Sequence, residues 1–161
     1  MAQWPGDTAV FALAMPLIKD WEGLELSPYL DSAGVPTIGW GTILYPNGRP
    51  VTMQDPPISQ SYAQDCLAYE MQGKSTALQH MLTENPTVHQ AAAMLSLCYN
   101  IGIANFAGST VLRQFNAGAF PAAAEAFLMW DKAHVDGNLV VVPGLLNRRN
   151  AERTMFLTAD N

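Results

Sequence analysis

Near the middle of this 161-residue chain, the stretch AAAMLSLCYNI (residues 91–101) is apolar at almost every position. A surface helix carries a single apolar stripe, so a helix that is apolar on most sides must be covered by other elements. Pro86 and Thr87 precede this stretch and suit the first turn and the cap of a helix. We therefore predict a central buried helix with further helices packed around it.

The flanking segments also show helical spacing of apolar residues, bounded by residues that start or end helices. Four further helices are predicted. They run from Ser59 to near Leu82, from Asn105 or Ser109 to near Gly118, from Pro121 to Trp130, and from near Leu145 to near Thr158. Ahead of the last helix, Asp136-Gly137 predicts a loop or a hairpin.

A short helix is also predicted near the N-terminus, where apolar residues between positions 14 and 21 recur at the spacing of one helix face. Proline is favoured in the first turn of a helix, and glycine is favoured directly after its last turn. We therefore expect Pro16 to open this helix and Gly23 to end it.

The pattern then changes to PYLDSAGVPTIGWGT and ILYPNGRPVT, which are rich in aromatic and β-branched residues. Such residues favour strands, and turns are expected at Ser32-Ala33-Gly34 and Asn47-Gly48. A small antiparallel sheet of two or three strands is predicted here.

These elements together predict an α+β fold that is mostly α-helical. We expect residues 1–161 to form one domain with a small β lobe at about 24–57. The larger helical lobe is expected at about 58–161, together with the N-terminal helix. A cleft between two lobes is a common place for a ligand.

The residues before and within the predicted sheet include two acids. Glu22 ends the N-terminal helix, and Asp31 follows nine residues later. If residues 32–35 form a tight hairpin, Asp31 lies opposite Thr37 with the two Cβ atoms roughly 5 Å apart on one face. One water molecule fits between such a carboxylate and hydroxyl. Cleavage of a glycosidic bond needs one protonated and one ionised carboxyl group, although two acids near a turn are also common as ordinary surface residues.

The order of these residues resembles the catalytic signature of the phage-type lysozyme (endolysin) family of glycoside hydrolases. The matching residues are Glu22-Gly23, Asp31, Thr37 and Ile38-Gly39-Trp40-Gly41. Residues 91–118 resemble the central helix of that family and the helix after it, and AAAEAFLMWDKA and PGLLNRRNAERTMFL resemble its closing helices. The resemblance covers nearly the whole chain after about Leu17.

The resemblance implies roles for three residues in cleaving the murein glycan between N-acetylmuramic acid and N-acetylglucosamine. Glu22 would protonate the glycosidic oxygen, Asp31 would stabilise the positive charge and orient a water, and Thr37 would hold that water on the opposite sugar face, which suits inversion. The family also has an arginine of its last helix beside the catalytic acid. Arg148 is the match we favour, with Arg149 as the alternative.

Other positions match the family less closely. Tyr29, Asn100 and Ser109 match positions near its cleft, but a core or capping role is an alternative for each. Thr42 stands where many relatives carry His, so an ion pair made by that His is expected to be missing. If Glu22 is not the acid, Glu25 is the next candidate, although we expect Glu25 on the surface.

Composition excludes several other classes of function. The net charge of −6 opposes nucleic-acid binding, which needs surplus Lys and Arg. Cys66 and Cys98 lack metal-ligand spacing and are expected as buried thiols. The three histidines, His80, His89 and His134, match no ligand pattern either. We expect no metal and no cofactor.

No signal peptide or membrane-spanning segment is evident, because Pro16 and Lys19 interrupt the first apolar run. We therefore expect a monomer that stays in the host cytoplasm until a pore-forming membrane partner releases it to peptidoglycan. Action from a virion is the less favoured route. Two alternatives to a muramidase remain, namely a catalytically silent peptidoglycan-binding or structural protein and a lytic transglycosylase acting on the same bond.

Overall fold

A computed structural model of the chain describes residues 2–161. The fold is α+β and mostly helical, with two small antiparallel sheets, as predicted. In chain order the elements are α1 (Asp7–Glu22), β1 (Glu25–Leu30), β2 (Pro36–Gly39), α2 (Gln60–Met81), α3 (Val88–Ile101), α4 (Ile103–Ala107), α5 (Thr110–Asn116), α6 (Phe120–Ala126), a 3-10 helix (Phe127–Trp130), β3 (Lys132–Val135), β4 (Asn138–Val141) and α7 (Pro143–Leu157).

The chain divides into two compact units. The β1–β2 unit contains Pro16–Gly73, and the α3 unit contains Met1–Met15 and Lys74–Asn161. The predicted β lobe at about 24–57 lies inside the β1–β2 unit, which also takes in the last residues of α1 and the first part of α2. The division of the chain into a single domain with those lobe boundaries stays a prediction.

Helix α3 forms the core of its unit, which confirms the predicted central helix. Its residues 91–99 are all buried, and it packs against α7. Thr87 caps α3 in a reciprocal arrangement with Gln90, in which each side chain accepts a hydrogen bond from the backbone N–H of the other residue. This arrangement satisfies two of the N–H groups that a helix start leaves without partners.

Helix α1 begins at Asp7, so the prediction that Pro16 opens it is wrong. Pro16 lies inside the helix, although its ring removes one backbone hydrogen bond. The helix continues through the proline because Val10, Ala14 and Ile18 form a fully buried row at a spacing of four residues. Burial of this row outweighs the missing bond, and Pro16 itself lies on the exposed side.

Most of the other predicted elements are confirmed, and one helix was not predicted. Ser59 caps α2 through Tyr62 N–H, and β3 and β4 form a hairpin around Asp136-Gly137. Ser109 rather than Asn105 caps the helix that ends near Gly118. Helix α4 was not predicted, because its five residues are too few to show a helical period.

The β1–β2 unit contains the predicted sheet, which has two strands. The predicted turn at Asn47-Gly48 is present, with Gly48 N–H donating to Tyr45 O and Arg49 N–H donating to Asn47 Oδ1. Cys66, in α2, is a buried thiol, and so is Cys98 in the α3 unit, as predicted. Across residues 2–161, none of the helices is both long enough and apolar enough to cross a bilayer.

Candidate active site

Glu22 is the last residue of α1, where the prediction puts the end of the helix. Gly23 N–H donates to Lys19 O at 3.0 Å and closes the last turn. The chain then leaves the helix axis and enters β1 two residues later. Glu22 is therefore the last helical residue before the sheet, and it is half-buried.

Gly41 leaves the space that the Glu22 carboxyl group occupies. A Cβ atom on Gly41 would meet Glu22 Oε2 at 2.6 Å and Cδ at 3.1 Å. The backbone of Gly41 also has a φ of +80°, in the left-handed region that favours glycine. The second glycine of the Gly-Trp-Gly motif is therefore needed for the close approach of the Glu22 carboxyl group.

The hairpin between β1 and β2 turns through Ser32-Ala33-Gly34, as predicted, but its register differs from the prediction. Gly34 N–H donates to Asp31 O, and Asp31 N–H donates to Val35 O. Gly34, at φ +78°, takes the left-handed position of a three-residue turn. Asp31 is therefore paired with Val35.

The residue opposite Thr37 is Tyr29, so the prediction that Asp31 lies opposite Thr37 is wrong. The assumed hairpin was centred one residue too far along the chain, and a shift of the centre by one changes every partner by two. Because the shift is even, strand alternation still directs Asp31 and Thr37 to one face as diagonal neighbours.

Asp31 and Thr37 both make bonds to the backbone of the turn. Asp31 Oδ1 accepts hydrogen bonds from Ala33 N–H at 2.8 Å and Val35 N–H at 2.9 Å. Thr37 Oγ1 donates to Val35 O at 2.8 Å. The Thr37 hydroxyl, whose proton is used in this way, keeps lone pairs that can accept a hydrogen bond from a water.

Tyr29 lies close to three carboxyl groups. Its side chain is half-buried, and burial raises the pKa of the Tyr29 phenol above its usual 10.0, with further increases from the charges of Glu22, Glu25 and Asp31. Tyr29 therefore stays protonated and can donate a hydrogen bond. Its pairing with Thr37 was not predicted, because it depends on the register of the hairpin. Glu25 is exposed, as predicted.

Thr42, which follows the Gly-Trp-Gly motif, is buried. Its backbone forms a two-residue bridge with Ile38, but Thr42 Oγ1 has no hydrogen-bond partner among residues 2–161. A buried hydroxyl without a partner destabilises a fold.

The α3 unit has a buried cluster of charged residues on α7. Arg149 and Glu152 are fully buried, with Arg149 Nε 2.9 Å from Glu152 Oε1. Ser96 Oγ donates to Glu152 Oε2 at 2.6 Å, and Arg149 Nη2 donates to Asn100 Oδ1 at 2.7 Å. Arg148 is also buried, and its Nε lies farther from Glu152 Oε2, at 3.8 Å.

Two other predicted residues have structural partners in the α3 unit. Ser109 is buried and its hydroxyl accepts from Leu112 N–H as the cap of α5, which is the capping alternative. Asn100 is exposed and holds Arg149. Among residues 2–161, no group of three His, Cys, Asp or Glu side chains is arranged to hold a metal ion.

The chain matches the family model described as phage lysozyme over residues 19–152. It is 38% identical to the endolysin of Salmonella phage P22 over 141 residues, which cover 88% of this chain and 92% of that protein. The solved endolysin from Escherichia coli O157:H7 phage FAHEc1 has a TM-score of 0.82 and 36% identity, covering 94% of this chain and 92% of that one. The muramidase domain of SpmX from Asticaccaulis excentricus has a TM-score of 0.80 and 28% identity, covering 99% and 100%.

Proposed function

This chain belongs to the phage lysozyme family and is a glycoside hydrolase of the endolysin type, and we propose that it hydrolyses one particular bond of peptidoglycan. The bond is the β-1,4 link between N-acetylmuramic acid and N-acetylglucosamine. The observation that supports this proposal most is the Glu22 carboxyl group, which lies at a helix end and close to the backbone of Gly41.

Glu22 is proposed as the general acid. It donates its proton to the glycosidic oxygen as the bond to the anomeric carbon breaks, and the sugar passes through an oxocarbenium-like transition state. A proton donor must keep a constant position relative to the leaving oxygen. The packing of Glu22 against Gly41 supports such a position, since the side chain cannot shift toward the Gly41 backbone.

Asp31 and Thr37 are proposed to hold the attacking water. As diagonal neighbours on paired strands, their Cβ atoms are expected to be about 7 Å apart, which a bridging water can span. The water donates to Thr37 Oγ1 and to Asp31. Its oxygen attacks from the face opposite the leaving group and inverts the anomeric carbon, while the Asp31 carboxylate accepts the proton that the water loses. The Asp31 carboxyl group is held in place by two backbone N–H groups, and a carboxylate there is proposed to stabilise the positive charge of the transition state.

Arg148 is proposed as the arginine that accompanies the acid. Arg149, the alternative, is held at 2.9 Å by Glu152 and at 2.7 Å by Asn100, whereas the Arg148 contact to Glu152 is longer. Tyr29 and Asn100 are proposed as supporting residues near the substrate. Ser109, as a buried cap, is proposed to support the local fold rather than to contact sugar.

We propose that residues 1–161 act as one catalytic domain and as a monomer. The substrate is the glycan strand of peptidoglycan, and the protein is proposed to wait in the host cytoplasm until a pore-forming partner gives it access to the wall. Neither a cofactor nor a metal is needed for the proposed steps, because an acid, a carboxylate and a water complete the hydrolysis.

The test is a turbidity assay on bacteria with permeabilised outer membranes, comparing the wild type with Glu22→Gln. The wild type is expected to clear the suspension, and the variant to lose at least a hundredfold in rate while keeping its fold, because the amide preserves shape and removes the transferable proton. A wild type that folds but clears nothing between about pH 4 and about pH 9 would leave only the silent-binder alternative. Activity that persists in the variant would move the acid to Glu25.

The products separate hydrolysis from the transglycosylase alternative. Hydrolysis leaves reducing muramic acid ends, whereas a lytic transglycosylase leaves an anhydro-sugar, and mass spectrometry distinguishes the two by the mass of one water. NMR of the first products reports the anomeric configuration. Retention of configuration would contradict the proposed water site at Asp31 and Thr37, since inversion requires attack from the opposite face.

A further inference from the structure

The β1–β2 unit has a small surface pocket that none of the proposed catalytic residues lines. Its volume is about 210 Å³, which is below the ~300–1,000 Å³ of most sites for drug-sized ligands. A single sugar ring is closer to this size than a nucleotide or an extended cofactor. The pocket is lined by Tyr45, Asn47, Arg49, Pro56, Ile58 and Tyr62.

Tyr45 forms the buried side of this pocket. The Tyr62 ring stacks near it with a centroid separation of 6.2 Å and an angle of 20° between the ring planes. The Arg49 guanidinium carbon lies 4.6 Å from the Tyr45 ring centroid. Tyr62 is 39% exposed whereas Tyr45 is 5% exposed, so one of the two stacked residues is buried and the other is accessible to solvent.

Asp55 fixes the polar groups around the pocket. It accepts hydrogen bonds from Tyr45 Oη at 2.7 Å, Arg49 Nη1 at 3.1 Å, and both the backbone N–H and the hydroxyl of Thr52. These bonds, led by that from Tyr45, hold the pKa of Asp55 well below its usual range. Burial, together with the bond to Asp55, raises the pKa of Tyr45 to about 12.

The charges at this pocket cancel. Asp55 is ionised and Arg49 is positive over the whole physiological range of pH, while the Tyr45 phenol stays neutral. A site for phosphate or carboxylate needs surplus positive charge, which is missing here because Asp55 pairs with Arg49. A neutral ligand with hydroxyl or amide groups fits these charges better.

We propose that this pocket is an accessory binding site for one N-acetylhexosamine residue of a glycan strand, separate from the residues that cleave the strand. The proposal rests on the proposed function only in taking the glycan strand as the ligand. Binding of sugar at a second site would hold the enzyme on an insoluble polymer between cleavage events.

The pocket supplies one contact for each part of such a sugar. The apolar CH face of a pyranose packs on the open Tyr62 ring, as apolar groups do on aromatic faces. The Asn47 side chain, whose Oδ1 already accepts from Arg49 N–H, has an amide NH₂ to donate to an acetamido or hydroxyl oxygen. Pro56 and Ile58 provide apolar surface for the acetyl methyl group.

The experiment measures binding of peptide-free tri-N-acetylchitotriose and of intact peptidoglycan sacculi to the full chain carrying Glu22→Gln, so that cleavage does not consume the ligand. Tyr62→Ala is added to this background. Tyr69→Ala is the matched control, because Tyr69 is a second exposed tyrosine of α2 that does not line the pocket. We expect Tyr62→Ala to weaken binding of both ligands about fivefold and Tyr69→Ala to leave it unchanged.

Two conservative variants test the same contacts with little risk of unfolding the protein. Tyr62→Phe keeps the ring and is expected to bind like the parent. Asn47→Asp keeps the oxygen that accepts from Arg49 but loses the NH₂ donor, and is expected to bind about fivefold more weakly. Thermal unfolding of each variant shows that the native state is intact.

Three outcomes would overturn the proposal. The first is equal binding by the Tyr62→Ala and Tyr69→Ala variants, and the second is full binding by Asn47→Asp together with loss of binding by Tyr62→Phe. The third is binding only to fragments that carry stem peptides. The last outcome would reassign the pocket to peptide. These results are independent of the lysis assay. A wild type that fails to clear bacteria while Tyr62→Ala still weakens glycan binding would refute the proposed hydrolysis and leave the pocket assignment standing.

Discussion

The Glu22 carboxyl group lies against the backbone of Gly41 so closely that a Cβ atom there would come within 2.6 Å of Glu22 Oε2. Helix α1 carries Glu22 on one side of this contact. On the other side lies Gly41, which follows β2 and has a positive φ. A residue at a helix end therefore depends for its space on a glycine nineteen positions later in the chain. The proposed acid depends on Gly41 for its position.

Gly41→Ala is expected to reduce lysis at least a hundredfold, because the new methyl group displaces the Glu22 carboxyl group from its position. The left-handed backbone should also cost about 1–2 kcal/mol of stability. The matched control is Gly48→Ala, which has a similar φ of +84° but no atom within 4 Å of the added Cβ. Both variants are measured by turbidity and thermal unfolding, and an equal loss of lysis in the two would show that backbone strain rather than the contact with Glu22 matters.

Thr37→Val is expected to lower the rate of lysis about a hundredfold, because the variant keeps the shape of the side chain and removes the hydroxyl that accepts from the proposed water. The lost bond to Val35 O should destabilise the fold by only about 1 kcal/mol. Thr37→Ser restores the hydroxyl and should recover most of the activity. If Thr37→Val lyses like the wild type, Thr37 does not hold the water.

Thr42→Val is the control for Thr37→Val, and it is itself expected to change the stability of the fold. Thr42 is also a buried threonine, but its Oγ1 has no hydrogen-bond partner among residues 2–161. Replacing the hydroxyl with a methyl group should therefore stabilise the fold by about 1 kcal/mol and leave lysis unchanged. Thermal unfolding that shows a destabilised variant would mean that the hydroxyl is satisfied by an ordered water.

The sequence predicted this fold where signals are local. Thr87 caps α3, Ser59 caps α2 and Asp136-Gly137 turns a hairpin, because each residue acts on its immediate neighbours. The start of α1 was missed because its helical state depends on burial of residues that flank Pro16. No local pattern reports that burial.

In the candidate site, too, the features that depend on neighbouring residues were predicted and those that depend on distant residues were not. Glu22 at the end of a helix and the turn after Asp31 were both predicted. The pairing of Thr37 with Tyr29 was not, since one residue more or less in a turn changes every cross-strand partner. Two further features could not be predicted from the sequence. One is the contact between Gly41 and Glu22, which are distant in the chain, and the other is the set of four hydrogen bonds to Asp55 within an irregular loop.

Glu152→Gln is expected to destabilise the α3 unit by about 3–5 kcal/mol, because the buried Arg149 would lose the carboxylate oxygen that lies 2.9 Å from its Nε. The control is Glu125→Gln, which removes a carboxylate from Arg153 at an exposed site. An exposed pair is worth about 0–1 kcal/mol. Chemical denaturation measures both, and a similar small loss in the two variants would show that the buried pair contributes little.

Asp160 connects the C-terminal residues to the start of α3 and should make that connection sensitive to acid. Asp160 Oδ2 accepts from Val88 N–H at 2.8 Å, and Oδ1 accepts from His89 N–H and lies 2.6 Å from His89 Nδ1. These bonds, led by that from His89, lower the pKa of the Asp160 carboxyl from 3.8. A lowered pKa in the folded state means that the carboxylate stabilises the fold fully above the unfolded value and loses this effect as the pH falls through the folded one.

Asp160→Ala is therefore expected to lower stability by about 1 kcal/mol near pH 6, and the difference from the wild type should shrink as the pH falls below about 4. Thermal unfolding at several pH values measures this difference. Glu84→Ala is the control, because it removes an exposed acid of the same unit. A difference between Asp160→Ala and the wild type that persists undiminished below about pH 3 would mean that the backbone contacts of the C-terminal residues, rather than the Asp160 carboxylate, hold the segment in place.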